Sequence, residues 1–548
     1  MPEVLVGPML RFIGETEATV WVEMDEVCEV EILGTKAATF EVKGHHFALV
    51  ALEGLEVGVP QEYEVAVEGR RVWPPEGYEF PHPQIRTIAP DDDLRLLFGS
   101  CRCSAPHHWP HTTQRWWNKK GRGIDALHTF ALRMLRQPRK LWPNAMVMLG
   151  DQLYADQPPK NVREQVEGRE VHADGPVDVL EDFEEYTVGY RDIWTYPVVR
   201  WMLSTLPTSM IFDDHEINDK WNTSEAWLEE HREKDWYETR IIGGLMAYWV
   251  YQHLGNLSPR ELAEDETFQA LKGGGDGSDL VEELARRAES QDSHSRFSFC
   301  SDMGSARLVV LDSRAGRRLK DGERRMMSTD EWEWVKERAD GDFKHLLLAS
   351  SVPFLLPDGM HDVEAWSEAV TNGAWGERLT PLGEKVRISA NLDHWACFQQ
   401  SYRELEQLVI DVATGECTDE PPDTIVMLGG DVHHCFLTDV TLPTEAHHAQ
   451  TKVWHAVCSG LRKELQLSER LVLAFGHTWL AAKIGRALAA AVNVRPRRLG
   501  TRITTRPRFR NQIGTLEVAG GEVGIRIEQA TGSWRDPQLR TVIEEKVL

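Results

Sequence analysis

The run Ala145-Met-Val-Met-Leu-Gly-Asp-Gln-Leu-Tyr154 places a carboxylate and a phenol directly behind a short apolar segment. Five apolar residues, Ala145 to Leu149, have the length of a strand buried on both faces. Gly150 lets the chain turn sharply, and Asp151 and Tyr154 follow. A carboxylate in that place is poorly sited for stability, yet ligands of open α/β sheets bind outside the carboxyl ends of the strands. The pattern recurs along the chain. Leu94 to Phe98 runs into Gly99-Ser-Cys-Arg102, Ser209 to Phe212 into Asp213-Asp-His-Glu216, and Leu308 to Leu311 into Asp312-Ser-Arg314. Leu346 to Ala349 runs into Ser350-Ser351, and Ile425 to Leu428 into Gly429-Gly-Asp-Val-His-His434. Strands sharing a sheet would bring these polar ends to one site.

Working outward, the segments between these runs are longer and helical in pattern: Ile124 to Arg136, Val179 to Met202, Thr223 to His253 and Ala396 to Val412. Strands alternating with helices predict an α/β or α+β layered domain over 94–548. Thr515 to Val518 and Val523 to Ile527, separated by Gly520-Gly521, read as a terminal hairpin. The N-terminal 1–88 differs. Ala18 to Glu23, Cys28 to Leu33, Phe40 to Lys43, Ala48 to Leu52 and Glu62 to Val67 are short strand-like runs punctuated by Gly and Pro. They predict a small all-β sandwich of immunoglobulin or fibronectin type, without catalytic residue clusters. Pro81 to Asp93 reads as a linker. Gly273-Gly-Gly-Asp-Gly-Ser278 reads as a flexible loop and lacks the Gly-Lys-Ser/Thr ending of a phosphate-binding loop. The segments Asn161 to Asp182 and Asp265 to Ser293 are insertions that would shape a pocket.

With 61 Lys and Arg against 87 Asp and Glu, the 548-residue chain carries a formal net charge of −26. That argues against a general nucleic-acid binder, because phosphate backbones reward clustered cations. An acidic enzyme that acts on anions must supply positive charge locally, and metal ions are the usual means. Met1 to Gly7 shows no basic segment followed by an apolar one, so no signal peptide and a cytoplasmic location are expected. Eight cysteines are then expected as free thiols. Leu471 to Val494 is the most apolar long stretch, but His477, Lys483 and Arg486 argue against a spanning helix. It reads as a helix packed on the protein's own core, with an amphipathic helix on a membrane surface as the alternative.

The strand-end residues Cys101, Asp151, Tyr154, Asp213, Asp214, His215, Asp431 and His433 form the chemical core of the chain. Gathered carboxylates raise one another's pKa unless cations sit between them, and a two-metal site resolves that cost. Asp151, at the tight Gly-Asp turn, is the candidate bridging ligand. Arg102 and Arg314 are candidates to bind the oxygens of an anionic substrate, because a guanidinium fork matches oxyanion geometry, and His394 is a further one. Each residue has a plainer reading. Asp151 caps a helix, Cys101 is a small buried thiol, Tyr154, His215 and His394 are satisfied core residues, and Arg314 pairs with a structural carboxylate. His107, His108 and His111 sit in a Pro-bounded loop and are not expected to hold metal.

Gly150-Asp-Gln-Leu-Tyr154, Asp213-Asp-His-Glu216 and Gly430-Asp-Val-His433, with Gly99-Ser-Cys101, Leu311-Asp-Ser-Arg314 and Asp393-His-Trp395, resemble ordered blocks of one family. It is the alkaline phosphatase D (PhoD)-like family of calcineurin-like metallophosphoesterases, and the resemblance runs from about 94 to 435. It implies two mixed sheets packed as a sandwich, flanked by helices, with metals at one edge. It implies Fe³⁺ held by Cys101, Asp151, Tyr154 and His433, and Ca²⁺ held by Asp151, Asp214 and Asp431, with other divalent metals as alternatives. It implies His215 as the catalytic histidine and in-line attack of a metal-bound hydroxide on phosphomonoesters, phosphodiesters or both. Two other functions stay open: a metallohydrolase acting on non-phosphate bonds, and a non-enzymatic interaction protein with a degenerate metal site.

Overall fold

The computed structural model describes residues 2–113, 118, 120–169, 178–290, 295–418, 420–463 and 465–548. Short alternating runs at the N-terminus become two antiparallel sheets. Val4–Ile13, Ala18–Met24, His45–Leu52 and Phe40–Val42 pair in that order in one. Thr35–Ala38, Glu29–Ile32, Val65–Val67 and Arg70–Trp73 form the other. Two sequence-based expectations need correction here. Gly275–Asp276, expected inside a flexible loop, extends the first sheet parallel to Phe40 and Glu41. The segment is pinned by hydrogen bonds from Gly277 N–H to the Glu41 carbonyl (2.8 Å) and from Lys43 N–H to Ser278 Oγ (2.7 Å). The Pro81 to Asp93 segment is not a free linker, since Gln84–Ile85 pairs with Gln61–Glu62 and both Ile85 and Ile88 are buried.

The β region is anchored to the rest of the chain by buried charge. Arg11, 1% exposed, donates to the carbonyls of Thr208 (2.8 Å), Tyr251 (2.8 Å) and Gln252 (2.6 Å), and to Asn256 Oδ1 (3.1 Å). Glu23 accepts from the Tyr251 hydroxyl at 2.9 Å. Removing the guanidinium leaves buried carbonyls without donors, each a cost of about 1–3 kcal/mol. Arg11→Ala is therefore expected to destabilise the protein by about 3 kcal/mol or more. A urea midpoint unchanged from wild type would show the anchor to be idle.

Two sheets make the core of the remainder. In the first, Thr208–Ile211, Ala145–Leu149 and Leu94–Arg102 are parallel neighbours, continued antiparallel by Gln512–Ala519, Glu522–Ser533 and Asp536–Lys546. In the second, Ala306–Leu311, His345–Ser350, Thr424–Gly429 and Lys452–Arg462 run parallel. Phe299–Met303 closes one edge, and Cys435–Thr441 with Gly500–Ile503 the other. All five residues of Ala145–Leu149 are buried, as a strand covered on both faces requires. The sheets join where Ser100 pairs with Ser459 and Arg102 with Arg462. Gly430 permits that close approach, because a Cβ there would lie 2.6 Å from the Leu149 carbonyl oxygen and 2.7 Å from Ser100 Cβ. The parallel strands thus deliver their carboxyl ends to one seam.

Helices flank the sheets. The stretch Val179 to Met202 divides into Phe183–Trp194 and Pro197–Thr205, with Pro197 opening the second. Thr223 to His253 divides into Glu225–Arg232 and Asp235–Tyr248, continued by a π-turn at Trp249–His253. The apolar 471–494 stretch also breaks, into Leu467–Gly476 and Trp479–Ala491, where Thr478 accepts from Ala481 N–H as a cap. Among the described residues no helix is long and apolar enough to cross a membrane. Of the two segments expected to shape a pocket, 170–177 and 291–293 lie outside the described residues.

Candidate metal centre

Four residues expected as metal ligands leave their strands in the left-handed region: Cys101 (φ 59°), Asp151 (φ 54°), Asp431 (φ 57°) and His433 (φ 52°). For a non-glycine residue this conformation costs roughly 1–3 kcal/mol, and such strain gathers where function needs a fixed side chain. Gly150 (φ 92°) sets up the turn at Asp151, and a Cβ on it would lie 2.7 Å from Asp213 Cβ.

The turn is held by a carboxylate to which the sequence reading assigned no role. Glu216 Oε2 accepts from the backbone N–H of Asp151 (3.0 Å) and of Asp213 (2.7 Å). Its Oε1 accepts from Gln152 N–H (2.8 Å) and from Gln252 Nε2 (2.9 Å). Burial pushes its pKa up to about 7, against those donors.

Two groups of ligand atoms form on this frame. Those of Cys101, Asp151 and His433 lie within 4.8 Å of one another, and so do those of Asp151, Asp214 and His215. Asp151 belongs to both. Asp151 Oδ1, Asp214 Oδ1 and His433 Nε2 are buried polar atoms with no hydrogen-bond partner in the protein, so each has a lone pair to offer an ion. Burial, then Lys463, lowers the His433 pKa to about 3, so its imidazole is neutral, as a ligand must be. Burial raises the Asp151 pKa to about 7, with Asp214, Glu216 and Asp431 adding to it and His215 opposing. Burial, together with Asp151 and Asp431, pushes the Cys101 thiol well above its ordinary value. Cations supply the charge this cluster lacks and displace the protons, so the donor set fits metal ions. Tyr154 stands beside it, its hydroxyl donating to Asp151 Oδ2 at 3.0 Å, and Ser459 Oγ lies 3.2 Å from Cys101 Sγ.

Asp431 lies outside both groups. Its Oδ2 sits 3.1 Å from His394 Nε2, while His394 Nδ1 meets Glu364 Oε1 at 2.6 Å. Burial opposes the charged form of His394, but Glu364 and Asp431 together hold its pKa well above the usual value. His215 Nδ1 donates to Asp156 Oδ2 at 2.7 Å, and its ring lies 4.4 Å from that of Tyr154. Burial lowers its pKa, but Asp156 and Asp151 outweigh burial and raise it well above the ordinary histidine value.

The two arginines expected to bind phosphoryl oxygens are both buried among acceptors of the protein itself. Arg314 is fully buried, with its guanidinium against Asp213 and Asp393 and Nη2 3.5 Å from Asp214 Oδ2. Arg102 is also buried, donating to Asp125 Oδ2 (3.0 Å) and the Ile193 carbonyl (3.0 Å). Arg314 thus pairs with carboxylates, as its plainer reading has it, while its Nη2 has no hydrogen-bond partner. Breaking a buried pair leaves uncompensated charge, and Arg314→Met is expected to destabilise the fold by about 3–5 kcal/mol. Thermal melting checks this, and an unshifted Tm would contradict it.

The cation the sequence reading missed is Lys463, whose ammonium lies 4.0 Å from the Tyr154 ring centroid. Burial opposes its charge, yet Cys103, Asp151 and Asp156 raise its pKa. Asp156 and Glu364 were missed as well. His107 stacks on His128, with ring centroids 4.0 Å apart.

Comparisons with known proteins place the chain in a family. Residues 1–85 match a domain of unknown function, DUF7800. Residues 121–483 match the family model described as PhoD-like phosphatase. No sequence among the curated proteins matches the chain. Among solved structures, one described as the structure of PhoD superposes with a TM-score of 0.58 at 12% identity, covering 100% of this chain and 92% of that one. A purple acid phosphatase from yellow lupin (Lupinus luteus) seeds superposes at 0.53 with 10% identity, covering 98% of this chain and 73% of that one. At these identities the two structures speak for the fold alone, while the family match spans well over half of the chain. The chain belongs to the PhoD-like phosphatase family.

Proposed function

We propose that the protein hydrolyses phosphate monoesters, diesters or both at a centre of two metal ions, one held by Cys101, Asp151, Tyr154 and His433 and the other by Asp151 and Asp214. The observation that carries the reading is the pair of overlapping ligand-atom groups that share Asp151. A thiolate, a phenolate and a neutral imidazole suit a trivalent iron in the first position, and oxygen donors suit calcium or another divalent ion in the second. Bound cations would supply Lewis-acid charge, which makes a water a competent nucleophile at neutral pH and offsets charge developing on the phosphoryl oxygens.

The side chains do the rest. Asp156 fixes the Nδ1 proton of His215, which leaves Nε2 to hand a proton to the departing alkoxide. Glu216 keeps Asp151 and Asp213 in register by binding their N–H groups. Asp431 fixes His394 rather than ligating the second ion directly. Lys463 and His394, not Arg102 or Arg314, place positive charge beside the substrate oxygens.

Elemental analysis with visible absorption on the same purified sample, followed by a panel of phosphate esters, amides and lactones, tests the reading. Iron with a charge-transfer band from phenolate or thiolate, and turnover of phosphate esters, is the expected result. Turnover confined to amides or lactones would make the protein a different metallohydrolase. No bound metal and no turnover after metals are added would leave an interaction protein.

A further inference from the structure

The helices Leu467–Gly476 and Trp479–Ala491 invert the usual arrangement of a surface helix. In the second, the buried residues are small: Ala481, Gly485 and Ala489. They pack on the helix Asp358–Thr371 so closely that a Cβ on Gly485 would lie 2.6 Å from the Gly359 carbonyl oxygen. The large apolar residues face outward. Leu467 (66% exposed), Leu471, Val472 (70%) and Phe475 line the first helix, and Trp479 (69%), Leu480 and Ile484 the second. An amphipathic helix of a globular protein turns its apolar stripe to the core, and a contiguous patch of this kind on a protein surface marks an interaction site.

Charge selects the partner. Residues 462–510 contain twelve Lys and Arg against two Glu, a local charge of +10 within a chain of −26. Lys483 and Arg486 are exposed on the second helix, with the Lys483 ammonium 4.8 Å from the Trp479 ring centroid, and Arg495, Arg506, Arg508 and Arg510 are exposed in the segment that follows. Outward aromatic and aliphatic residues rimmed by cations describe a surface that lies in a lipid interface, where each cation near an anionic headgroup adds to binding. A second copy of the chain would bring the same positive face, and like charges oppose that pairing. The strongly acidic remainder is repelled by an anionic surface, so contact is confined to this face.

We propose that this helical hairpin docks the protein on membranes carrying anionic lipids. The turn of the hairpin packs beside the loop that carries His433: His477 Nε2 lies 3.0 Å from Nε2 of His434. Its supporting helix carries Glu364, the partner of His394.

Flotation of the purified full chain with vesicles of three parts phosphatidylcholine to one part phosphatidylglycerol tests the proposal, with pure phosphatidylcholine alongside. Wild type is expected to float with the anionic vesicles, less with the neutral ones, and less as salt rises. The triple variant Val472→Ser, Trp479→Ser, Ile484→Ser is expected to lose about tenfold or more in partitioning while keeping its circular dichroism and melting temperature. Lys483→Glu with Arg486→Glu, which leaves the apolar residues in place, is expected to remove the preference for anionic lipid. The proposal is overturned if wild type does not float, if the triple variant floats as wild type does, or if light scattering shows a dimer that the triple variant converts to monomer, since the patch would then be buried between copies.

Discussion

Asp151→Asn is expected to lower turnover of a phosphate ester about a thousandfold or more and to empty the centre of metal. Asp151 belongs to both ligand-atom groups, and its Oδ1 has no other partner. An amide of the same size keeps the turn, because Gly150 and the hydrogen bonds to Glu216 involve the backbone. What it loses is the negative charge and one of two ligating oxygens, so neither cation keeps its full set of donors. Loss of two cations worth several kcal/mol of transition-state charge stabilisation exceeds any single hydrogen bond in the site. The prediction has a readout independent of activity. The Asn variant should show little metal by elemental analysis, and metal titration into stripped protein should release fewer protons at a pH below neutral, because burial raises the wild-type Asp151 pKa and a carboxyl that ligates a cation gives up its proton. A variant with wild-type metal content and rate would show that Asp151 bridges nothing.

His215→Ala is expected to cost about a hundredfold to ten-thousandfold in turnover while the metal content holds. Its Nδ1 is taken by Asp156, its ring rests against Tyr154, and the surrounding acids keep it protonated. A proton donor matters in proportion to the basicity of the group it protonates. Esters of alkyl alcohols should therefore lose far more than esters of nitrophenol, and Asp156→Asn should show the same ordering at smaller amplitude. Uniform loss across leaving groups together with loss of metal would recast His215 as a ligand, a role open to it because its ring nitrogen falls within the second group.

The sheets and the seam were legible because apolar runs of strand length end in polar residues, and buried parallel strands enforce that pattern. Cys435–Thr441 and Lys452–Arg462 escaped notice because Thr438, Asp439, His455 and Ser459 interrupt their apolar character. With Lys452–Arg462 went Ser459 and Lys463, one beside the Cys101 thiol and the other over the Tyr154 ring. Asp156 and Glu364 carry no periodic signal. Each matters only for the histidine it meets, over 59 and 30 residues of chain. The surroundings of the arginines were illegible for a related reason. A guanidinium near a phosphate-ester centre suggests a substrate contact, but charge type does not reveal that Asp213, Asp393 and Asp125 already claim it. Helix ends were partly legible: the break at Pro197 is chemical, whereas the π-turn at Trp249 depends on what it packs against.

That π-turn joins parts of the chain that composition separates. Arg11 grips its carbonyls from the N-terminal sheets, Gln252 reaches from it to Glu216, and Glu216 holds Asp151. Three consecutive contacts thus run from a residue near the start of the chain to the carboxylate common to both ligand groups. The N-terminal sheets are consequently part of the smallest unit able to assemble the centre. A chain that began at Asp93 would leave the π-turn without its cation and Glu216 without a fixed Gln252. Denaturation should then be one transition in which metal affinity and the packing of the N-terminal strands disappear together.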